Sequence, residues 1–560
     1  MIGVKEAIPG VTYIPLDKLT EYVAAGELEN RTLTEALAGS FKTNAGRVAI
    51  ASPEGEVTYA QLDDITDRFA AALLQLGMKP LDRVIFQSGN CREVIYTVVG
   101  CLKAGLIPVC TLAAHRELEI EYLGRHTDAR LHIVQGNDPK FDLPGFALKT
   151  KSQIPTMRHV ISFLGEKREG ILRFEDLIAQ PVSAPARQAL ADVPRDPYQV
   201  AVFQLSGGTT GVPKVIPRMQ NDYLRNALGS IEAMGLQATD VLFMPMPMMH
   251  NAAMICIWLP SLLAGSTFVI PGGMTAETWG EVFSAYRPTF IGMIRALLPR
   301  LDEMVTRKLG SLDQVRGAWA PDAARVIRER YGILSFGMFG MSEGLNLYCR
   351  ADDPEEARDW TIGRPLSRLD EVRLVEPGTE RDVAVGDVGE FICRGPYTLR
   401  GYYNAPDRNA QAFTADGYYR SGDLMMQREI EGKLYYAFAG RTKDVIDRGG
   451  EKINCEEVES AASTHPAISE CAVVAMPDPV LGERICAFIV VKSGGIAPGI
   501  GELGQHLQTL GMAKFKWPER IEAVDAIPLT KVGKVDKATL RKNIASTLSA
   551  EAPVTTPQPS

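Results

Sequence analysis

At 560 residues and 61.1 kDa the chain exceeds what one hydrophobic core can organise, so it divides into two or more domains. With 46% apolar residues, 23% charged residues and a mean hydropathy of −0.04, it is neither disordered, collagen-like nor a polytopic membrane protein. The formal charge of −8, from 60 Lys and Arg against 68 Asp and Glu, leaves no basic excess for a phosphate backbone and excludes nucleic acid as a general partner.

The opening MIGVKEAIPG lacks a basic segment followed by an apolar run, so no signal peptide is expected. RVIFQSG (Arg83–Gly89) predicts a strand, REVIYTVVGCLKAG (Arg92–Gly105) a helix, and LIPVCTL (Leu106–Leu112) another strand. That order predicts a doubly wound α/β layer of parallel strands. Asn251 to Gly272 carries no charge and approaches the length of a membrane span. Pro260, Gly265 and Pro271 interrupt it, so it is expected inside a parallel α/β core, with no membrane partner. FICRG, the aromatic and glycine turns of Tyr397–Tyr403, and GKLYYAFAG predict shorter β elements. Beyond Arg441, ERICAFIVV predicts a strand and GELGQHLQTL a helix of a compact α+β unit. The boundary falls in GRTKD (Gly440–Asp444), a charged, glycine-led hinge. The expected division is an α/β fold with a large multi-layer domain over 1–441, a small mobile α+β domain over 442–548 and a disordered tail over 549–560. Nine scattered cysteines without a C-x-x-C pair suit a reducing, cytoplasmic compartment.

The segment with the clearest chemistry is Leu205-Ser-Gly-Gly-Thr-Thr-Gly-Val-Pro-Lys214. Gly207, Gly208 and Gly211 let the backbone approach a polyanion, Ser206, Thr209 and Thr210 add donors, and Lys214 adds charge. Pro213 before the lysine and Val215 after it break the Walker pattern, so this is a phosphate loop of another kind.

Together with FGMSEG (Phe339–Gly344), RGPYTLRGYY (Arg394–Tyr403), YYRSGDL (Tyr418–Leu424), GRTKDVIDRGGEKI (Gly440–Ile453) and PLTKVGKVDK (Pro528–Lys537), this loop resembles the adenylate-forming superfamily of acyl-CoA synthetases, adenylation domains and luciferases. The wording is most similar to the aryl-acid branch, the free-standing ligases for 2,3-dihydroxybenzoate or salicylate, and the resemblance runs from Leu33 to Ser549. It implies ATP as substrate, Mg²⁺ held by Glu343 beside Ser342, a ribose-binding Asp423 and a hinge-side Arg441. It also implies a hinge at Lys443, a catalytic Lys534, and Gly449 and Gly450 facing a thiol tunnel. A carboxylate would attack the α-phosphorus, and a pantetheine thiol would then attack the acyl-adenylate once the small domain has turned about Lys443.

For the acid, the resemblance places His250 near the carboxylate and Asn251 on an ortho substituent, with Cys256, Ala318, Met338, Gly340 and Asn346 also in the pocket. Cys256 stands where dihydroxybenzoate ligases have serine and salicylate ligases cysteine, and a thiol is a poor donor to a 3-hydroxyl, which favours salicylate. The chain departs from the branch at Ala252, at Asn346 and at Ala318-Trp319-Ala320. Trp319 is expected either to fill ring volume or to pack behind adenine, and Asn346 to reach a second substituent or a ring nitrogen. Hydroxypicolinate, anthranilate and other substituted benzoates stay open as acids. Little chain follows the last predicted helix, so the acceptor thiol is expected in trans, from CoA or a separate aryl carrier protein of siderophore synthesis. A catabolic aryl-CoA ligase, a luciferase-like oxidoreductase and a non-catalytic binding module are the alternatives.

Overall fold

The computed structural model describes residues 2–206, 213–321, 323–448, 451–510, 512–530 and 534–551, with side chains for all of these except Lys443 and Lys452. Two compact units emerge. The first gathers Met1–Val372, Ile392–Arg420 and Glu429–Tyr436; the second gathers Arg373–Phe391, Ser421–Arg428 and Ala437–Ser560.

The first unit contains two seven-stranded sheets of the same design. One runs Leu172–Arg173, His159–Phe163, Leu131–Gln135, Arg83–Gln87, Ile107–Val109, Val200–Ser206, Lys214–Met219. The other runs Ser335–Phe336, Gly317–Trp319, Phe290–Gly292, Val241–Phe243, Thr267–Val269, Val48–Ser52, Gly55–Thr58. In each, all pairings are parallel except the last, an antiparallel edge pair. Their strands are short apolar runs because helices cover both faces. The predicted helix after Arg83–Gln87 is present as Arg92–Lys103 and is almost wholly buried, so its apolar residues cover all sides rather than one stripe.

The uncharged run from Asn251 breaks into a short helical turn Asn251–Ala253, a π-helical turn Met254–Trp258, the helix Leu259–Ala264 ending on Gly265 at φ 78°, and the strand Thr267–Val269. Among the described residues no helix is long and apolar enough to cross a membrane. Tyr397–Tyr403 departs from the β expectation. Its N–H groups leave the local ladder, that of Leu399 for the Glu343 carbonyl (2.7 Å) and that of Tyr403 for the Val215 carbonyl (2.9 Å), so the stretch is an irregular strap between elements.

The second unit is built on the long hairpin Ile468–Asp478 and Gly482–Val491, flanked by Val445–Arg448, Glu451–Asn454 and the parallel Arg520–Ala523. Strand alternation divides its core. Ile485, Ala487 and Ile489 face helices Cys455–Ala462 and Ile500–Thr509, whereas Cys486 and Phe488 pack with Leu540 and Ile544 of helix Lys537–Glu551. A large mixed α/β region followed by a smaller α+β region is therefore the observed fold class.

Candidate active site

The glycine-rich loop joins two antiparallel strands, with Ser206 and Lys214 paired directly across its base. Gly207, Gly208, Thr209, Thr210 and Gly211 lie outside the described residues. Ser206 Oγ is shielded and finds no hydrogen-bond partner among the described residues. Lys214 is half-buried; desolvation lowers its pKa, opposed by the charge of Glu343.

Glu343 lies in the turn after strand Met338–Gly340. That turn requires a glycine at Gly344, where φ is +137° and a Cβ would stand 2.1 Å from the Tyr397 carbonyl oxygen. The Glu343 carboxylate is buried and accepts from the Tyr402 hydroxyl at 2.7 Å. Tyr402 meets the Tyr419 hydroxyl at 2.9 Å and Lys214 Nζ at 3.4 Å, and the Lys214 ammonium stands 4.8 Å from the Tyr402 ring centroid.

The turn is tied down by Arg218, a fully buried guanidinium on strand Lys214–Met219. It donates to the carbonyls of Ser342 (3.1 Å) and Tyr397 (3.3 Å) and to the side chains of Asp222 (3.1 Å) and Asn226 (3.3 Å). Burial raises the Asp222 carboxyl to about 6, the Arg218 charge opposing it. Asn346, with its amide turned to satisfy both ends, accepts from Asn226 Nδ2 at 2.8 Å and donates to the carbonyls of Gly344 and Leu345, each at 3.2 Å. Its polar group is thus taken up by this network, and Gly340 faces it across the strand pair.

In the candidate ring pocket, His250 opens the turn Asn251–Ala253, its Nδ1 accepting from the Ala252 N–H at 3.3 Å. Asn251 is buried, and its carbonyl accepts from the Tyr223 hydroxyl at 2.9 Å, which in turn accepts from Gln204 Nε2 at 2.9 Å. This chain fixes which end of the carboxamide points where. Cys256 sits on the π turn, its thiol pushed up to about 12 by burial beside the hydroxyls of Tyr348 and Ser230. Trp319, Met338 and Tyr348 belong to the same apolar cluster as Cys256, whereas Ala318, one residue along the strand, packs into the other core with Phe243 and Ile291. The indole, and not the Ala318 methyl, is the side chain that this strand turns toward the Cys256 side.

In the second unit, Asp423 and Arg441 pair at 3.1 Å across neighbouring strands, and the Thr442 hydroxyl donates to the Gly422 carbonyl at 3.1 Å. Asp444, next to Lys443, pairs with Arg541 of the last helix. Lys534 lies in a turn closed by Thr530 N–H to its carbonyl (2.6 Å), two residues before Asp536, which caps helix Lys537–Glu551 through Thr539. Gly449, Gly450 and the Lys443 side chain lie outside the described residues.

No group of three or more His, Cys, Asp or Glu side chains forms a metal cage among the described residues. A lone buried carboxylate such as Glu343 fits a different mode, a Mg²⁺ that arrives on nucleotide phosphates and keeps waters as its other ligands. Sequence reasoning passed over Arg218, Tyr223, Tyr402 and Tyr419. The one signal available was Arg218, a charged residue four positions after Lys214 in the strand KVIPRM, flanked by Pro217 and Met219.

The model of the AMP-binding enzyme family matches residues 37–403, and that of the AMP-binding enzyme C-terminal domain matches 457–534. The 2,3-dihydroxybenzoate-AMP ligase of Bacillus subtilis is 36% identical over 97% of this chain and 99% of its own. The salicyl-AMP ligase / salicyl-S-ArCP synthetase of Mycobacterium tuberculosis is 35% identical over 98% of this chain and 96% of its own. Among solved structures, the apo structure of Mycobacterium smegmatis MbtA is 33% identical with a TM-score of 0.71, covering 95% of this chain and 98% of that one.

Proposed function

This chain belongs to the AMP-binding enzyme family and is an adenylate-forming ligase, and on that premise we propose that it activates an ortho-substituted aromatic carboxylic acid and passes the acyl group to a phosphopantetheine thiol. In the first half-reaction a carboxylate oxygen attacks the α-phosphorus of ATP, the bond to the bridging oxygen breaks, and pyrophosphate leaves. In the second the thiolate attacks the carbonyl of the mixed anhydride and AMP leaves.

Lys214 and the loop from Ser206 to Gly211 hold the phosphates, Asp423 and Arg441 the ribose, and Glu343 with Ser342 the magnesium side. The metal supplies charge neutralisation at the phosphates when bound. Lys534 neutralises charge growing on the α-phosphate. Turning about Lys443 then exchanges Lys534 for Gly449 and Gly450, whose lack of side chains leaves room for the pantetheine arm. The observation that carries this reading is the convergence of Lys214 and Glu343, of opposite charge, on one buried hydroxyl in the first unit. Such a pair grips a metal-bound polyphosphate from two sides.

The aromatic acid is supported by the apolar cluster that Cys256, Met338 and Trp319 share, by the buried carboxamide of Asn251 held by Tyr223, and by the acids that the two relatives are named for. His250 stands by the carboxylate and Asn251 by the ortho group. Salicylate is the leading acid, and a carrier protein the leading acceptor, in siderophore synthesis. The departures at Ala252 and Trp319 favour a second reading, an aryl-CoA ligase.

ATP–pyrophosphate exchange across benzoate, salicylate, 2,3-dihydroxybenzoate, anthranilate, 3-hydroxypicolinate and a fatty acid tests both. Exchange with an ortho-substituted aryl acid is expected; exchange with the fatty acid alone would sink the pocket assignment. Thioester formation with CoA would select the second reading. A sharper check is Cys256→Ser, expected to raise kcat/KM for 2,3-dihydroxybenzoate relative to salicylate by about tenfold, the worth of one hydrogen bond. An unchanged ratio would remove Cys256 from the ring pocket.

A further inference from the structure

The geometry points to Tyr402 as a positioning residue that keeps Lys214 and Glu343 apart and aimed at the nucleotide's phosphates and metal. This rests on the adenylation reading above and assigns that site one more member. Tyr402 is 1% exposed, Tyr419 5% and Glu343 6%, so water has little access to the group. A phenol has one proton to give and two lone pairs. The proton goes to Glu343 Oε1 at 2.7 Å, since an ionised carboxylate only accepts. The oxygen is then left to accept from Lys214 Nζ at 3.4 Å and from the Tyr419 hydroxyl at 2.9 Å, which fills it. The backbone beneath it is fixed as well, because the Asn409 carboxamide accepts from Tyr402 N–H (2.8 Å) and donates to its carbonyl (3.0 Å).

The phenol stands in the path by which the ammonium and the carboxylate would neutralise each other. Lys214 and Glu343 form no direct ion pair among the described residues; each spends its nearest contact on Tyr402 instead. A direct pair in so dry a place would have to be broken by every incoming phosphate, and the cost of separating desolvated charges is high. With the tyrosine in place, the ammonium rests over an aromatic face and the carboxylate on a neutral donor, and both contacts yield without leaving an unpaired charge.

The test is calorimetric titration of the full chain with a non-hydrolysable ATP analogue plus Mg²⁺, and separately with AMP. Tyr402→Phe keeps the ring and the cation–π contact and deletes the hydroxyl. It is expected to weaken Mg-analogue binding about tenfold or more, the loss for a hydrogen bond to a charged group, while AMP affinity stays within about twofold. Tyr419→Phe removes an equally buried hydroxyl but leaves the bond to Glu343, and its effect is expected to be several-fold smaller. Unchanged Mg-analogue binding in Tyr402→Phe would overturn the assignment. So would equal weakening by the two variants, or equal weakening of AMP, since general loosening predicts either. If the wild-type chain bound neither nucleotide, the adenylation reading itself would fall, and this assignment with it.

Discussion

Lys534→Ala lowers acyl-adenylate formation by about a hundredfold or more, the usual cost of removing one preorganised charge from a transition state. Thioester formation from supplied acyl-adenylate is retained within about twofold, because that step has no charge growing on phosphorus. The local structure makes this a clean experiment. Lys534 is exposed, and its turn carries the Thr530 N–H to the Lys534 carbonyl, the Lys534 N–H to the Thr530 hydroxyl, and the Leu529–Val535 bridge. Replacing the side chain leaves these bonds in place, so the variant is expected to fold, and its melting temperature checks that. Hydroxylamine trapping reads the first half-reaction and thiol consumption reads the second. Equal loss of both would refute the assignment of Lys534 to adenylation alone.

Arg218→Met destabilises the first unit by about 3–5 kcal/mol, the cost of leaving one partner of a buried ion pair uncompensated. The guanidinium satisfies Asp222, Asn226 and two carbonyls at once, so methionine strands four acceptors in the interior. The loss carries a pH signature. Asp222 is already raised to about 6 when folded, above its unfolded value of about 3.9, so the folded state binds more protons in that window and stability falls as pH rises through it. Without Arg218 the folded pKa rises further and the window extends upward. The stability deficit of Arg218→Met should therefore grow between about pH 6 and about pH 8, and urea unfolding of both proteins at the two pH values measures it. A deficit independent of pH would mean that Asp222 is not the stranded charge. Because Arg218 also holds the Ser342 carbonyl, the variant should lose adenylation activity at temperatures where it is still folded.

The elements that were legible in the sequence are those whose residues answer to one demand. Arg83–Gln87 and Gly482–Val491 are apolar runs bounded by turn residues, and they fold as strands for that reason. Arg92–Lys103 is an apolar run too long for a strand, between two strand signals, and folds as a helix. The family was legible because its motifs are short runs of particular residue types in a fixed order, and the family models match the chain over 37–403 and 457–534. Tyr402 and Arg218 were not, because a tyrosine in RGYY and an arginine in a strand acquire their roles only from segments distant in sequence. Glu343 and Lys214 meet at Tyr402 through loops, and the Ser342 and Tyr397 carbonyls meet at Arg218 in the same way. Nor did local pattern separate the two sides of Gly317–Trp319; it took the sheet to turn Trp319 toward Cys256 and Ala318 away.

In the segment that carries Asn251 and Cys256, chain length is a stronger lever than residue identity. The π-helical turn Met254–Trp258 takes in one residue more than an α turn would. An α turn with one residue fewer would join the same flanks in nearly the same facing, because the π turn widens to take up the extra residue. Leu259–Ala264 is anchored by its buried leucines and by the Gly265 stop, and Asn251 by Tyr223, so a deletion at 254–258 changes which side chains the turn itself presents, Cys256 among them. Point substitutions vary the chemistry at one fixed azimuth; a single-codon deletion or insertion would change which residue occupies it. Divergence in acid preference among chains of this design is then expected to track indels at 254–258, and a library built to shift that preference should vary codon number there before it varies codons.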